Sequence, residues 1–163
     1  MFATDIGQHS IEEINRIEAG QFYGWPIREG RFVINPYGSF RSLYPLPAGD
    51  ENLSIRYPFL QLEHDELVAI IGGYVVSSGA LKGKFVFGDV PSGRLFFVDL
   101  NVDNSQAQTW GIRYQGKEMS LKELVGLDRV DLKFGIDAKK QLYLMSKTSG
   151  AVYRLVDNTI EIQ

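Results

Sequence analysis

Hydrophobic residues in this chain fall in short runs, not at the three-and-four spacing of an amphipathic helix. Between Ile71 and Leu100 the sequence reads IGGYVVSSGALKGKFVFGDVPSGRLFFVDL, in which GGYVVSS, KFVFGDV and RLFFVDL are separated by Gly, Ser, Pro and Asp. Runs of that length, rich in Val, Phe and Tyr and closed by turn residues, predict the strands of an antiparallel meander. Part of the meander recurs. KGKFVFGDVPSGRLFFVDL (82–100) aligns with AKKQLYLMSKTSGAVYRLVD (138–157) at a constant offset, Lys84 with Gln141, Phe85 with Leu142, Gly93 with Gly150 and Leu95 with Val152. A looser copy, MFATDIG followed by EEINRIEAG, opens the chain. Such copies, spaced roughly 50–60 residues apart, predict a repeat architecture of the propeller-blade kind.

The remaining pattern fills in around these copies. Residues 2–26 read strand, loop, strand, turn, and GQFYGWP (20–26) sets an aromatic pair around a glycine before a proline, the composition of a tight turn. Tyr23 and Trp25 there read as wedges between loop and core, with a substrate platform as the alternative. Residues 27–66 are irregular and carry Pro36, Pro45, Pro47 and Pro58, but also Phe32, Tyr37, Phe40, Tyr44, Tyr57 and Phe59. Disordered segments are poor in aromatics, so this is expected to be a long ordered excursion. Strands resume with LVAIIGGYVV (67–76), and TWGIRYQ (109–115) is expected to be an outer strand. SLKELVGL (120–127) reads as a short helix or an extended approach, then RVDLKFGID, QLYLMSK and AVYRLVD close the chain as strands. The expected class is all-β: about three four-stranded antiparallel blades at approximately 1–60, 67–115 and 120–157, in one fragment covering 1–163.

Composition removes several function classes. A net charge of −3 gives no electrostatic case for nucleic acid or an anionic membrane surface. No apolar run approaches the ~20 residues of a membrane-spanning helix. The absence of cysteine excludes disulfides, thiolate metal sites and cysteine nucleophiles. The first residues show no basic segment followed by an apolar one, so no signal peptide is expected in this chain, and MFATDIG starts as though already inside a strand, which suggests a truncated chain.

Candidate chemistry follows from blade geometry. The loop between the second and third strands of a blade shares a face with the loop leading into its first strand. The first kind of loop supplies Asp5 and His9, then Asp89 and Arg94, then Lys147; the second supplies His64, Asp65, Glu66 and Arg129. Together they predict a mixed-charge rim suited to a small polar ligand. Any imidazole base must be His9 or His64, the only histidines. Neither sits at metal-ligand spacing, and no metal site is assigned. G-x-S-x-G, P-loop and dinucleotide motifs are absent, and GGY at 72–74 is better explained by strand geometry than by phosphate binding.

Three stretches resemble the glucose/sorbosone dehydrogenase family, soluble aldose dehydrogenases that use pyrroloquinoline quinone (PQQ) and are built as six-bladed propellers. EEINRIEAGQFYGWP (12–26) is similar to the family's EIN…YGWP signature, with Gln21-Phe22 where an Asn commonly precedes the Tyr. AIIGGYVVSSGALKGKFVFGDVPSGRLFFVDL and RVDLKFGIDAKKQLYLMSKTSGAVYRL are similar to its later blades, in the family's order. The resemblance implies half of a six-bladed propeller, a sugar substrate, PQQ with calcium, hydride transfer to the quinone, and a periplasmic or secreted location. By motif position Arg129 matches the first of two arginines in the closing blade, while Asp131 stands at the second; Pro91 stands near the place of a lysine used in one subgroup, with Arg94 as the candidate substitute. Arg94 and Arg129 are the implied cofactor contacts; of the rim read from blade geometry, His64, Asp65 and Asp89 are the substrate-side residues. The family's catalytic base and calcium-holding groups belong to earlier blades, so no catalytic residue is assigned here. The other blades are expected from a longer chain or from a second copy in a homodimer. The alternative is a non-catalytic blade module that binds carbohydrate or a protein partner.

Overall fold

The computed structural model describes residues 1–35, 42–102, 104–156 and 159–162. The chain is all-β, made of small, mostly antiparallel sheets of the propeller-blade kind. It divides into two compact units, 1–68 and 69–163.

In the first unit β1 (Phe2–Asp5), β2 (Ile11–Arg16) and β6 (Leu60–Glu63) form one antiparallel sheet in the order β1-β2-β6. The excursion between β2 and β6 carries its own small sheet of β3 (Arg28–Glu29), β4 (Phe32–Ile34) and β5 (Leu43–Tyr44), then a 3-10 turn at Asp50–Leu53. It is ordered over its described residues, as its aromatic content predicted; Pro36, Tyr37 and Phe40 lie outside them. The β2 sequence Ile-Glu-Glu-Ile-Asn is buried at every position from Ile11 to Asn15, so both faces of the strand are covered. A strand covered on both faces cannot alternate apolar and polar, and its carboxylates must find partners inside. Tyr23 is a wedge: its hydroxyl accepts the Glu18 N–H at 2.7 Å and donates to the Arg16 carbonyl at 2.9 Å. Trp25 is exposed.

The second unit begins with a four-stranded meander in the order β10-β9-β8-β7, from β7 (Ile70–Val75), β8 (Lys84–Asp89), β9 (Leu95–Asp99) and β10 (Gln108–Thr109). The next sheet has six strands, β12-β11-β16-β15-β14-β13. Its members are β11 (Ile112–Tyr114), β12 (Lys117–Met119), β13 (Leu132–Ile136), β14 (Leu142–Ser146), β15 (Val152–Val156) and β16 (Thr159–Ile162). The expected outer strand TWGIRYQ is therefore split at Trp110–Gly111. Its first part closes the meander as β10, and its second part joins the following sheet beside β16, in the parallel sense. Between β12 and β13, Leu121–Val125 is a single helical turn, α1, the helix of the two alternatives. Ser120 starts it with a capping box, its hydroxyl accepting the Glu123 N–H at 3.1 Å while the Glu123 carboxylate takes the Ser120 N–H at 2.7 Å.

The internal repeat is visible in geometry. The β8–β9 and β14–β15 turns close with matched backbone bonds, Gly93 N–H to Asp89 O and Gly150 N–H to Ser146 O, both at 2.9 Å. Gly93 and Gly150 have φ of 72° and 73°, a conformation that costs a residue with a Cβ about 1–2 kcal/mol. Val86, Leu95, Val130, Leu132 and Leu144 lie in the core of this unit. Phe87 is fully buried, its ring stacked on Phe96 at 5.5 Å.

Candidate functional site

The blade turns position the residues of interest. Asp89 ends β8, and its carboxylate turns back into the protein, 1% exposed, to accept the Ala69 N–H at 3.0 Å and the Ser92 N–H at 3.2 Å, as well as the Ser92 hydroxyl. It ties the approach to β7 to the β8–β9 turn. Arg94 leaves the same turn and lays its guanidinium over the Phe96 ring, 5.5 Å from the centroid. The segment carrying Arg129 is bonded to this turn: Val130 N–H donates to Pro91 O and Leu132 N–H to Val90 O, each at 2.9 Å. A Cβ on Gly93 would lie 2.8 Å from Val130 Cγ2, so the close approach needs the glycine. Thr148, in the β14–β15 turn, donates to the Arg129 carbonyl at 2.7 Å, and Lys147 N–H donates to Asp131 O at 3.2 Å. Arg94, Arg129 and Lys147 thus stand on turns that are bonded to one another at one end of the second unit.

Asp131 qualifies that cationic end. Its Oδ1 accepts from Arg129 Nε at 2.6 Å, with the arginine side chain 65% exposed. Exposed pairs of this kind are worth less than about 1 kcal/mol, so a polycarboxylate could compete for the arginine.

His64 and Asp65 belong to the first unit, on the turn that follows β6. Asp65 is exposed. His64 Nε2 lies 2.8 Å from Glu12 Oε1, and Glu12 is fully buried. Beneath the β1–β2 loop, Glu29 accepts the N–H groups of His9, Ser10 and Ile11 at 2.7–3.1 Å, so the loop around His9 is organised by a buried carboxylate. Sequence reasoning missed Glu12 and Glu29. The available signal was a pair of adjacent glutamates inside an apolar strand run.

The acids around β2 and those of the second unit's turns titrate in opposite senses. Burial, with the nearby charge of Glu29, raises the Asp5 carboxyl above its ordinary value. Burial also raises Glu13, outweighing its bonds from Asn15 and the Gly30 N–H, with Asp5 and Glu29 adding to the rise. In the second unit the bond from Lys84 lowers Asp99, the Ser120 N–H lowers Glu123, and the Gln141 N–H lowers Asp137. An acid raised in the folded state binds its proton more tightly folded than unfolded, so stability grows as pH falls through its folded value. An acid lowered in the folded state contributes above the ordinary carboxylate range, and that contribution is lost below it. Amide exchange is therefore expected to show β2 gaining protection between pH 7 and about 5, with β14 level, and β14 losing protection below about pH 4. Glu13→Gln should flatten the β2 trend. A fall in β2 protection from pH 7 to 5 contradicts this assignment.

These features define a class: an all-β protein of blade-like sheets whose second unit carries Arg94, Arg129 and Lys147 on mutually bonded turns. No known protein family's profile matches the chain, and no solved structure matches it. Among curated proteins it is similar to the HIPL1 protein of Arabidopsis thaliana, 26% identical over 173 residues, covering 94% of this chain and 24% of that protein. The HIPL2 protein of the same plant is similar at the same identity and coverage. The chain spans about a quarter of the length of these curated relatives.

Proposed function

We propose that this chain is part of a sugar dehydrogenase-like propeller of the glucose/sorbosone type, in which the second unit offers its cationic end to an anionic quinone cofactor, PQQ. The observation that carries this reading is the bonding of the Asp89–Arg94 turn to the Arg129 segment and the Lys147 turn, which gathers three cationic residues at one end. Three ordered sequence motifs and the distant similarity to the HIPL proteins support it. Arg94 and Arg129 fit a polycarboxylate, because guanidinium groups pair with carboxylates in a bidentate fork. When bound, the quinone would take the hydride of the sugar's oxidised carbon. Among the described residues no group of three or more His, Asp and Glu side chains could hold a metal ion, so no calcium ligand is assigned to this chain. The reading takes its remaining blades from further sequence or from a second copy, and it goes with a periplasmic or secreted protein.

The pairing between Arg129 and Asp131 gives the test. Arg129→Ala is expected to weaken PQQ binding at least tenfold, and Asp131→Ala to tighten it by releasing the guanidinium. Unchanged affinity in Arg129→Ala would overturn the assignment. The same ion pair favours a second reading, a non-catalytic module binding neutral carbohydrate or protein, because the arginine already has an internal acid. Sugar binding without any PQQ response would support that reading.

A further inference from the structure

Glu12 lies on β2, opposite Leu62 of β6, and nothing of it is exposed. Burying an ionised carboxylate is costly unless hydrogen bonds and a counter-group replace water. Two such partners are in place: the Gly7 N–H donates to Oε1 at 3.2 Å, and His64 Nε2 stands 2.8 Å from the same oxygen. With the Glu12 carboxylate ionised, it only accepts, so Nε2 then carries the proton in the neutral ring and Nδ1 keeps its lone pair. The backbone holds the ring's position, with His64 N–H on Ser10 O at 3.0 Å and Leu67 N–H on Glu63 O at 3.1 Å.

The other side of the ring is open. His64 is 33% exposed, and Nδ1 has no hydrogen-bond partner among the described residues. The ring lines a groove of about 500 Å³, together with Ser10, Phe32, Leu43, Glu63 and Asp65. Glu63 and Asp65 are exposed carboxylates that disfavour an anion there and accept bonds from hydroxyl groups. An imidazole held in one tautomer by a buried carboxylate, beside a groove and with its other nitrogen unbonded among the described residues, is an arrangement by which proteins build a proton acceptor.

We propose that Glu12 and His64 are a proton-transfer pair serving this groove, with His64 Nδ1 taking the proton of a small hydroxylic ligand, a water or an alcohol. The O–H bond breaks as an N–H bond forms at Nδ1, and the Glu12 carboxylate stabilises the resulting imidazolium through Nε2–H. His64 is the catalytic residue and Glu12 the positioning residue. The proposal concerns the first unit and is independent of the quinone reading of the second.

An activated ester, p-nitrophenyl acetate, tests it on the intact chain. Water gives one proton to Nδ1 while its oxygen attacks the ester carbonyl; the C–O bond to the leaving group breaks, p-nitrophenolate departs with the electron pair, acetic acid remains and ionises in solvent, and the imidazolium returns its proton to solvent. Turnover is expected to exceed that of free imidazole at equal concentration at least tenfold. His64→Gln should lose at least tenfold. Glu12→Gln should lose at least fivefold and let the His64 ring proton move between its two nitrogens in ring nitrogen NMR, because the neutral amide can donate as well as accept and no longer holds the proton on Nε2. His9→Gln should change neither. Full turnover in His64→Gln, an equal loss in His9→Gln, or an unchanged His64 tautomer in Glu12→Gln would overturn the proposal. Ring nitrogen NMR on the unaltered protein gives a second reading that needs no variant to fold. The His64 proton is expected on Nε2 at neutral pH, and a proton on Nδ1 would contradict the pair.

Discussion

Replacing Gly73 by alanine is expected to cost the second unit more than about 4 kcal/mol, the range reserved for changes that the surrounding structure cannot absorb. Gly73 sits at the bulge where the β7–β8 register shifts, between Gly72 opposite Phe87 and Tyr74 opposite Val86. A Cβ there would lie 1.5 Å from the Val86 carbonyl oxygen and 2.7 Å from its carbon. Both are backbone atoms of the neighbouring strand, so relief requires opening the ladder that holds β7 to β8. The cost approaches the whole stability of an ordinary domain. Gly150→Ala is the comparison: its Cβ meets nothing within 4 Å, and only the positive φ opposes it, at about 1–2 kcal/mol. Urea unfolding of both variants checks the contrast. A Gly73→Ala cost below that of Gly150→Ala would show that the bulge is not as described.

Arg28→Met is expected to cost the first unit about 3–5 kcal/mol, because it strands a buried acid. Arg28 and Asp50 are each 6% exposed. Arg28 Nε and Nη2 donate to Asp50 Oδ1 at 3.1 and 2.5 Å, and the Tyr57 hydroxyl donates to Oδ2. The bonds from Tyr57 and then Arg28 lower the Asp50 carboxyl, so this contribution is present above the ordinary carboxylate range and lost as pH falls through the folded value. Adding Asp50→Leu to Arg28→Met should recover much of the loss, since the desolvated charge is then gone as well. Denaturation of the single and double variants decides it. A double variant that loses as much as the sum of the singles would contradict this account of the pair.

The sequence disclosed those parts of the structure that rest on local chemistry. Gly93 and Gly150 align in the repeat, and each closes its turn in the same left-handed conformation. GGY at 72–74 was read as strand geometry, and Gly73 proves to be the bulge. What stayed hidden depends on distant partners. The second half of TWGIRYQ joins β16, about 45 positions further on, and no local pattern announces that pairing. Glu12 and His64 are 52 positions apart, so neither spacing nor motif connects them. Asp89 shows a different limit. Its place on the turn was legible, but its carboxylate is spent on holding that turn together, which only the Ala69 and Ser92 bonds reveal.

The most direct test of the proposed function is a PQQ titration of the intact chain in calcium, followed by tryptophan fluorescence and melting temperature, with calcium alone as control. Trp25 and Trp110 are the reporters. Saturable quenching together with a raised melting temperature is the predicted result, because a ligand that binds only the folded state stabilises it. No quenching and an unmoved melting temperature would contradict the claim that the turns of Arg94 and Arg129 make an anionic-cofactor face.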